Sequence, residues 1–370
     1  MAQVLLFGAG LQVLSVAWSL KDRHTVDACA EDISVIRHGR SLNRCFRVAL
    51  ATLSPEELRG YDVIIPMEEA YAVWLSRHKE ALGERAAVAD WERFSLASDK
   101  TRLMALCEER GFPHPKTRDL EQVSLEEAAA YVGFPALIKP AQGSGSRGIR
   151  LVRNLAECRA VLPSVKEEFG PCSLQEYIGG EQAYYNVMLY RCRDGSWGNH
   201  AVTRILRYYP VKGGSSSLCI SIEDTRLVRI AQDVLEALDW QGFADFDVLD
   251  NGNGDFRVIE INPRIPASIR AAEAAGVNFP EMIVSETLGE TIPSYAYRPG
   301  RYLRCLGLDL AWFFSSPGRW HARPSWLHFW GNTVYQDGGW RDFPAMAASL
   351  WQGVGKMLNP SFRRKKAGMN

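Results

Sequence analysis

Residues 242–264 read GFADFDVLDNGNGDFRVIEINPR and are the most informative part of the chain. Two largely apolar runs, 242–249 and 255–261, flank a turn sequence rich in Asn and Gly at 251–254. Apolar runs joined by such a turn are typical of a β-hairpin. We therefore predict two antiparallel strands here.

Three oxygen-bearing side chains come together in this hairpin. Side chains alternate across a strand, so Glu260 and Asn262 share one face, and the turn brings Asp247 opposite Glu260 with Cβ atoms about 5 Å apart. Two carboxylates this close repel unless positive charge lies between them, and oxygen ligands suit Mg²⁺, which also takes nucleotide phosphates. The alternative is a solvated hairpin end, but burying unpaired acids among Val and Ile is costly.

Upstream, Gly143-Ser144-Gly145-Ser146-Arg147-Gly148 is a glycine-rich loop between two strand candidates. A dinucleotide fingerprint needs a helix after the loop, whereas Ile149–Val152 alternates like a strand. The loop is therefore predicted to be a hairpin flap whose N–H groups and hydroxyls bind phosphates, with Lys139 adding positive charge. A flexible surface turn is the alternative.

Two further segments are candidates for ligand contacts. Leu174–Ile178 is an apolar strand before Gly179-Gly180; it either offers its backbone to an adenine or is an ordinary buried strand. Lys212–Ser217 is a loop with one positive charge, for which a substrate contact and a plain flexible loop both remain open. Arg204 and Arg207, on the strand before it, either meet anionic groups or are solvated.

Alternating strands and helices organise the N-terminal quarter. Val4–Phe7, Thr25–Cys29 and Asp62–Pro66 are strand candidates, which predicts a parallel α/β sheet over residues 1–95. Gly8-Ala9-Gly10 follows the first strand, but the third glycine of a dinucleotide fingerprint is absent. A helix is predicted to begin at Ser98-Asp99-Lys100 and to end at Gly111.

Composition excludes several classes of protein. The chain of 370 residues has 43 Lys and Arg and 43 Asp and Glu, so its whole surface is not built for nucleic acid or an anionic membrane. The eight scattered cysteines suggest neither a zinc site nor a disulfide framework. No signal peptide or transmembrane stretch is evident, and a reducing cytoplasm is the expected location.

Taken in order, these motifs resemble the ATP-grasp superfamily, and more closely the carboxylate–amine ligases related to carbamoyl phosphate synthetase large chains and D-alanine–D-alanine ligase. The resemblance covers about residues 1–290. It rests on Asp99-Lys100, Gly111–Thr117, Phe134–Pro140 with the glycine loop, Gln175–Ile178, and Glu260-Ile261-Asn262-Pro263-Arg264 with Asp247 thirteen residues upstream.

The resemblance implies an α/β (α+β) ATP-grasp architecture in three parts. A Rossmann-like pre-ATP-grasp domain with a parallel sheet is expected at 1–97. A two-lobed ATP-grasp domain follows at 98–293, with a small flap lobe at about 115–175 and a large lobe at about 176–293. A Trp-rich, basic C-terminal appendage is expected at 294–370.

The resemblance also implies a set of site residues. The ATP-binding residues would be Lys100, Lys139, Gly143, Ser144, Gly145, Ser146, Gln175, Glu176, Tyr177, Ile178 and Glu181 or Gln182. Gln175 would face the adenine amino group, and the backbone of Glu176 and Ile178 would bond the ring. Asp247, Glu260 and Asn262 would hold two Mg²⁺ ions, with Mn²⁺ as an alternative. The family's ribose-binding Glu falls on Gln182, with Glu181 adjacent, and the sequence does not choose between them.

The implied reaction joins a carboxylate to an amine through an acyl phosphate, releasing ADP and phosphate. Arg264 would bind that intermediate, and Lys212 is the second catalytic candidate. From loop placement, we expect Lys212–Ser217, including Ser215 and Ser216, to cover the second substrate. Glu68, after an N-terminal strand, would meet the amine, and Arg204 is a further substrate candidate.

Other functions stay open. One is phosphorylation of carbamate or a carboxylate without an amide product, and another is a non-catalytic nucleotide-binding protein. The expected partners are small-molecule carboxylate and amine substrates, without nucleic acid, and a homodimer is compatible with the sequence.

The C-terminal seventy residues differ in composition from the rest. Residues 301–370 hold six of the eleven tryptophans, ten Lys and Arg, and three Asp and Glu, and they end in a run of four basic residues at 363–366. The aromatic residues are expected to pack against the neighbouring domain. The alternative is a docking patch for an anionic surface, an acidic carrier or a partner protein.

Overall fold

The computed structural model describes residues 1–142, 148–179, 183–211, 215–252, 254–336 and 342–358. Its strands are β1 Gln3–Phe7, β2 Thr25–Ala30, β3 Arg44–Arg47, β4 Val63–Pro66, β5 Thr117–Asp119, β6 Ala136–Pro140, β7 Arg150–Val152, β8 Cys172–Glu176, β9 Ala183–Arg191, β10 Trp197–Tyr209, β11 Ser215–Ile222, β12 Gly242–Asp250, β13 Phe256–Asn262, β14 Tyr302–Arg304 and β15 Thr333–Tyr335. Its helices are α1 Gln12–Leu20, α2 Glu69–Arg77, α3 Lys79–Leu82, α4 Trp91–Ser98, α5 Lys100–Arg110, α6 Leu125–Val132, α7 Leu155–Phe169, α8 Thr225–Ala237, α9 Ile269–Ala274, α10 Phe279–Thr287, α11 Leu306–Ser315 and α12 Phe343–Leu358.

The first four strands form the predicted parallel sheet, in the order β3-β2-β1-β4. Val4 to Phe7 of β1 are completely buried, as expected for a central parallel strand covered on both faces. The carboxyl ends of β1, β2 and β4 meet at one edge. In open parallel sheets this edge is where ligands bind.

The helix predicted at residues 100–110 is confirmed as α5. The Asp99 carboxylate accepts hydrogen bonds from the N–H groups of Thr101 and Arg102, which caps the start of the helix. Gly111 ends it with a left-handed backbone conformation, φ +71°, which glycine adopts without a steric cost. The cap fixes Lys100 at the first position of the helix.

A four-stranded antiparallel sheet, β5-β8-β6-β7, forms the small lobe. β6 and β7 pair as a hairpin, as the sequence predicts for the strands on either side of the glycine loop. Residues 143–147 of that loop lie outside the described residues. The hairpin nonetheless fixes Lys139, on β6, beside β8.

The large lobe is a seven-stranded sheet in the order β13-β12-β9-β10-β11-β14-β15. β12 and β13 are the predicted hairpin, and Asp247 is the direct partner of Glu260 in their register. The apolar face of α8 packs on one side of this sheet, against Val187, Val202 and Phe246 among other buried residues. The opposite face of the hairpin is left for polar side chains.

The C-terminal segment is built onto this sheet, because β14 and β15 are its last two strands. Arg207 on β10 and Arg304 on β14 both pair with Asp309 on α11, and all three side chains are buried. The segment also touches the N-terminal domain, where Ser15 donates to the Gln336 carbonyl.

Its tryptophans divide between the interior and the surface. Trp312 is buried, as the packing expectation requires, whereas Trp320, Trp330 and Trp351 are largely exposed. Trp340 lies outside the described residues. Packing against the rest of the chain therefore accounts for part of the aromatic content.

No helix among the described residues is long and apolar enough to cross a membrane.

The packing of the hairpin on α8 makes a testable prediction. Phe246 is completely buried in the cluster beneath α8. Phe246→Ala should lower the free energy of unfolding by about 3–5 kcal/mol, because it leaves a cavity. Phe246→Leu, which keeps most of the volume, should cost less than about 1.5 kcal/mol. Urea denaturation followed by circular dichroism measures both, and equal losses would contradict this packing.

Candidate active site

Lys100, at the start of α5, lies against the carboxylate hairpin. Its Nζ is 3.0 Å from Glu260 Oε2, and its N–H donates to the Ala141 carbonyl at the end of β6. Burial would lower the pKa of Lys100, but the negative charges around it, chiefly Glu260, raise it. Lys100 is therefore held as a cation between the small lobe and the hairpin.

The Lys139 side chain, on β6, is the first member of a row of hydrogen-bonded polar side chains. Its Nζ donates to Gln175 Oε1 at 2.9 Å, and Gln175 Nε2 donates to Thr117 Oγ1 at 3.0 Å. Burial lowers the pKa of Lys139 to about 8, although the charge of Glu260 opposes the shift. Both ends of the Gln175 amide are thus engaged within the small lobe, whereas the sequence led us to expect this amide to face an adenine.

The hinge segment after β8 restricts which backbone groups are available for the expected contacts with a base. β8 ends at Glu176, and the N–H groups of Glu176 and Tyr177 donate to the carbonyls of Lys116 and Pro135. The Glu176 N–H is therefore not free to bond a nucleotide base. Within the described residues we find no partner for the N–H of Ile178, so this residue offers the hinge donor.

The carboxylates of Asp247 and Glu260 face each other across the hairpin, as the sequence predicts. Asn186, on the neighbouring strand β9, donates its Nδ2 to Asp247 Oδ1 at 2.5 Å. Burial and the charge of Glu260 raise the pKa of Asp247 well above its usual value. Burial also acts to raise the pKa of Glu260, but the nearby cations, Lys100 first, lower it. Lys100 therefore acts more strongly on Glu260 than on Asp247.

Sequence reasoning missed Asp245, which belongs to the same cluster. It lies two residues before Asp247, so both side chains share one face of β12, and its register partner is Asn262. Asp245 is buried, and its Oδ1 has no hydrogen-bond partner among the described residues. The alternation Asp-Phe-Asp in the sequence was the signal that would have found it.

Arg264 follows the hairpin directly and borders the cluster. Its Nη2 donates to Asn262 Oδ1 at 3.3 Å, and its Nη1 donates to the Ile265 carbonyl at 3.2 Å. Lys100, Glu260, Asn262 and Arg264 line one small pocket. The structure thus brings together three of the predicted phosphate and metal residues with the predicted catalytic arginine.

The donor set fits Mg²⁺. Asp247, Glu260 and Asn262 offer oxygen atoms alone, and the orphaned carboxylate oxygen of Asp245 is beside them. Among the described residues, no three His, Cys, Asp or Glu side chains form a ready-made metal site. An ion at this hairpin therefore also needs oxygen atoms from phosphate or water.

A larger cavity of about 570 Å³ brings together Glu68, Ser215 and Ser216, three of the predicted substrate residues. Sequence reasoning missed two other acids in its wall, Glu31 and Asp32. Its described lining holds these three carboxylates and no Lys or Arg. The cavity is therefore suited to a cationic group.

The position of the cavity follows from the parallel sheet. Glu31 comes directly after β2, and Glu68 follows β4 by two residues, so both lie at the carboxyl edge. At the same edge Gly8 has φ +137°, and a Cβ there would lie 3.1 Å from Met67 Cβ. Gly8 thus allows two strand ends to approach closely.

The strand registers place this cavity on the sheet face that carries the carboxylates. Asp247 pairs with Asn186, and Asn186 pairs with Thr203 on β10. Ile205, two residues further along the same face, pairs with Cys219, which lines the cavity. The cluster and the cavity therefore open on one side of the large lobe.

Arg204 departs from its predicted position. It lies between Thr203 and Ile205 and so points to the opposite face, where it pairs with Tyr185 and is exposed. Arg204 is thus separated from Ser215 and Ser216, against the expectation that all three bind substrate. Strand alternation is the physical reason.

Seven of the predicted site residues lie outside the described residues, and their roles stay predictions: Gly143, Ser144, Gly145, Ser146, Glu181, Gln182 and Lys212.

Residues 97–268 match the family model described as "ATP-grasp domain". The carbamoyl phosphate synthase large chain of Methanospirillum hungatei is 29% identical over 189 residues, covering 48% of this chain and 18% of that protein. The D-alanine–D-alanine ligase of Ectopseudomonas mendocina is 25% identical over 205 residues, covering 52% of this chain and 64% of that protein. The matches thus span less than two thirds of either relative.

Among solved structures, this chain superposes on a biotin carboxylase from Campylobacter jejuni with a TM-score of 0.68. That structure is described as a biotin carboxylase-β-γ-ATP complex. The two chains are 19% identical, and the match covers 81% of this chain and 74% of that one. This likeness confirms the ATP-grasp fold predicted from the sequence.

The low pKa of Lys139 makes a prediction about nucleotide binding. A lysine with a pKa of about 8 is partly neutral at pH 8, and phosphates favour its charged form. Binding of ATP should therefore take up protons near pH 8, and affinity should fall as the pH rises through this range. Calorimetry in buffers of different ionisation enthalpy measures the uptake.

Lys139→Gln should bind ATP more weakly and lose this pH dependence. Lys166→Gln is the matched control, because Lys166 is a small-lobe lysine paired with Glu121 away from the site. Proton uptake that persists in Lys139→Gln would assign it to another group.

Proposed function

We propose that this chain, whose residues 97–268 form an ATP-grasp domain, is an ATP- and Mg²⁺-dependent ligase that joins a carboxylate to an amine, with ADP and phosphate as products. The observation that carries the proposal is the pair of buried Asp247 and half-buried Glu260, which faces Lys100 and Lys139. Carboxylates set against lysines in this way suit a nucleotide triphosphate with its cation.

The nucleotide lies between the two lobes in this proposal. Lys100 and Lys139 bind its phosphates, and the Ile178 N–H bonds the base, with the Glu176 carbonyl as the acceptor that remains. Gln175 positions Lys139, because its side-chain oxygen accepts a hydrogen bond from Lys139 Nζ. For residues 143–148 the proposal keeps the role expected from the sequence, which is to bind and cover the phosphates.

Asp247, Glu260 and Asn262 hold the metal, as one ion or two, and Mn²⁺ is a substitute. When bound, Mg²⁺ neutralises the charge that develops on the phosphates. Arg264 borders the same pocket and presents a planar guanidinium, which can contact two oxygen atoms of a carboxylate or phosphate at once. Arg264 thus orients the carboxylate before and after phosphoryl transfer.

The reaction then has two steps. A carboxylate oxygen attacks the γ-phosphorus in line, the bond from phosphorus to the bridging oxygen breaks, and ADP leaves. The amine enters as an ammonium ion and gives one proton to a carboxylate of the acidic cavity, and its nitrogen then attacks the carbonyl carbon of the acyl phosphate. The bond from that carbon to the phosphate oxygen breaks, and the departing phosphate takes the second proton from the nitrogen. Water must be kept out between the steps, because it would hydrolyse the intermediate.

The cavity at the carboxyl edge of the parallel sheet supplies the amine site. Glu31, Asp32 and Glu68 give it a negative potential that favours an ammonium group on the incoming substrate. The hydroxyl groups of Ser215 and Ser216 can bond neutral polar groups of the same molecule. Its volume of about 570 Å³ is in the range of small-molecule sites.

The similarity to a carbamoyl phosphate synthase large chain supports a second candidate, phosphorylation of carbamate or a carboxylate without an amide product. A screen of acids with and without amines separates the two. Ligation requires the amine for sustained ADP release and gives a condensed product by mass spectrometry. Sustained ADP release without any amine would favour the second candidate.

The metal assignment predicts a split between stability and activity. Asp247→Asn keeps the shape of the side chain but removes a buried carboxylate that faces the carboxylate of Glu260. The variant should be at least as stable to heat as the unaltered chain, because the repulsion with Glu260 is relieved. Its Mg²⁺-dependent ADP release should fall by about a thousandfold or more. Asp233→Asn, on the exposed face of α8, is the control. Unchanged turnover in Asp247→Asn would reject the metal role.

The amine site predicts a selective change in KM. Glu68→Gln should raise the KM for the amine by about tenfold, because a charged hydrogen bond is lost, and should leave the KM for ATP unchanged. Glu80→Gln, an exposed helix residue away from the cavity, should change neither. Steady-state assays with each substrate varied in turn measure both constants. An equal rise in the two KM values would contradict a specific amine contact.

A further inference from the structure

Six aromatic rings form a continuous cluster that begins in the last turn of α11 and extends to Trp330. We call Phe313, Phe314, Trp320, Trp326, Phe329 and Trp330 the aromatic cluster. Phe313 contacts Phe314, Trp320 and Trp326, with ring centroids 4.4 to 5.6 Å apart. Trp326 is joined through Phe329 to Trp330. The proposed ligase chemistry uses none of these residues.

The outer rings of the cluster face solvent. Phe314, Trp320 and Trp330 are 64%, 71% and 77% exposed, and Leu327 beside them is 63% exposed. Among the described residues, ten large apolar side chains are exposed, and six of them lie between residues 314 and 351. A concentration of exposed aromatic side chains on one region marks an interaction surface.

The cluster is anchored to the large lobe. Arg304 Nη2 donates to the Trp326 carbonyl at 2.9 Å, and Arg207 donates to the Pro324 carbonyl. Trp326 Nε1 donates to the Asp309 carbonyl at 3.2 Å. Both arginines are buried and pair with the Asp309 carboxylate. The exposed rings are therefore presented by a buried charged network and do not belong to a fraying end.

The segment that carries the cluster, residues 310–336, has formal charges of one sign only. Residues 310–336 contain no Asp or Glu, and they contain Arg319 and Arg323. Neither arginine makes an ion pair with a described residue. Arg319 lies over the Phe313 ring, and Arg323 is exposed. Unpaired arginines beside exposed indole rings complement a negatively charged, partly apolar surface.

We propose that the aromatic cluster docks this protein onto the surface of an anionic lipid bilayer. Trp side chains favour the headgroup region of a membrane, where the ring meets acyl chains and the N–H meets water. Arginines beside them are attracted by anionic headgroups. The rings insert from one side without a spanning helix, which is the behaviour of a peripheral protein. The basic run Arg363-Arg364-Lys365-Lys366 later in the sequence has the matching charge.

Flotation of the full chain with vesicles tests the apolar part of this surface. The chain should float with vesicles of phosphatidylcholine and phosphatidylglycerol and much less with phosphatidylcholine alone. Trp320→Ser with Trp330→Ser should weaken binding by about tenfold or more, because the inserted apolar area is lost. Trp91→Ser is the matched control, since Trp91 is an exposed tryptophan outside the cluster. Far-ultraviolet circular dichroism verifies that each variant is folded.

The charged part is tested separately. Arg319→Gln with Arg323→Gln should weaken binding by about fivefold for each arginine, and raised salt should have the same effect on the unaltered chain. Arg59→Gln, an exposed arginine paired with Glu56, is the control and should bind as the unaltered chain does. Replacing the four residues 363–366 by Gln should leave the dependence on Trp320 and Trp330 in place.

Several outcomes would overturn the proposal. These are failure of the unaltered chain to float, equal binding by the double tryptophan variant, or binding that depends on residues 363–366 alone. Self-association in lipid-free solution that the tryptophan variant abolishes would assign the cluster to a contact between two copies. Stronger binding to poly-glutamate than to the vesicles would assign it to an acidic protein. ATP turnover plays no part in these measurements, so they stand apart from the ligase proposal.

Discussion

The pairing of two carboxylates, one buried and one half-buried, with two lysines from other parts of the fold is the constraint on which the site depends. Asp247 and Glu260 face each other across a hairpin whose other side is packed on α8. Leaving such charges without partners would cost several kcal/mol. Lys100 at the start of α5 and Lys139 on β6 supply the opposite charge. The small lobe and the hairpin are therefore tied together by charge where a triphosphate is proposed to bind.

The parts of this arrangement that are local in sequence were predictable. A short turn places Asp247 near Glu260, so their proximity followed from the spacing. They are direct partners only because the register shifts by one residue between Asp247 and Val248, which the spacing did not predict. The start of α5 followed from Asp99 as a cap. Asp245 belongs to the same local pattern, because strand alternation places its side chain on the same face as that of Asp247. Contacts such as that between Lys139 and Gln175 join two strands across the sheet, and no local pattern specifies the partner.

The full lining of the cavity could not be predicted from the sequence. Glu31 and Glu68 follow different strands, and the strand order β3-β2-β1-β4 decides that both reach one edge. Ser215 reaches the same cavity from another sheet. Arg204 seemed an equally good candidate, but alternation along β10 turns it to the opposite face. Which loops share a cavity is thus set by how the two sheets pack, and this depends on residues distant in sequence.

Asp309 connects the cavity to the aromatic cluster, although the two are formed by different parts of the sequence. Its carboxylate accepts a hydrogen bond from Ser217, which lines the cavity, and it pairs with the two arginines that hold the segment bearing the aromatic cluster. Two arginines on one buried carboxylate leave an excess positive charge, and the carbonyls of Pro324 and Trp326, which accept hydrogen bonds from them, offset part of its cost. The position of that segment and the wall of the cavity therefore depend on the same buried group, although one faces solvent and the other faces the proposed amine.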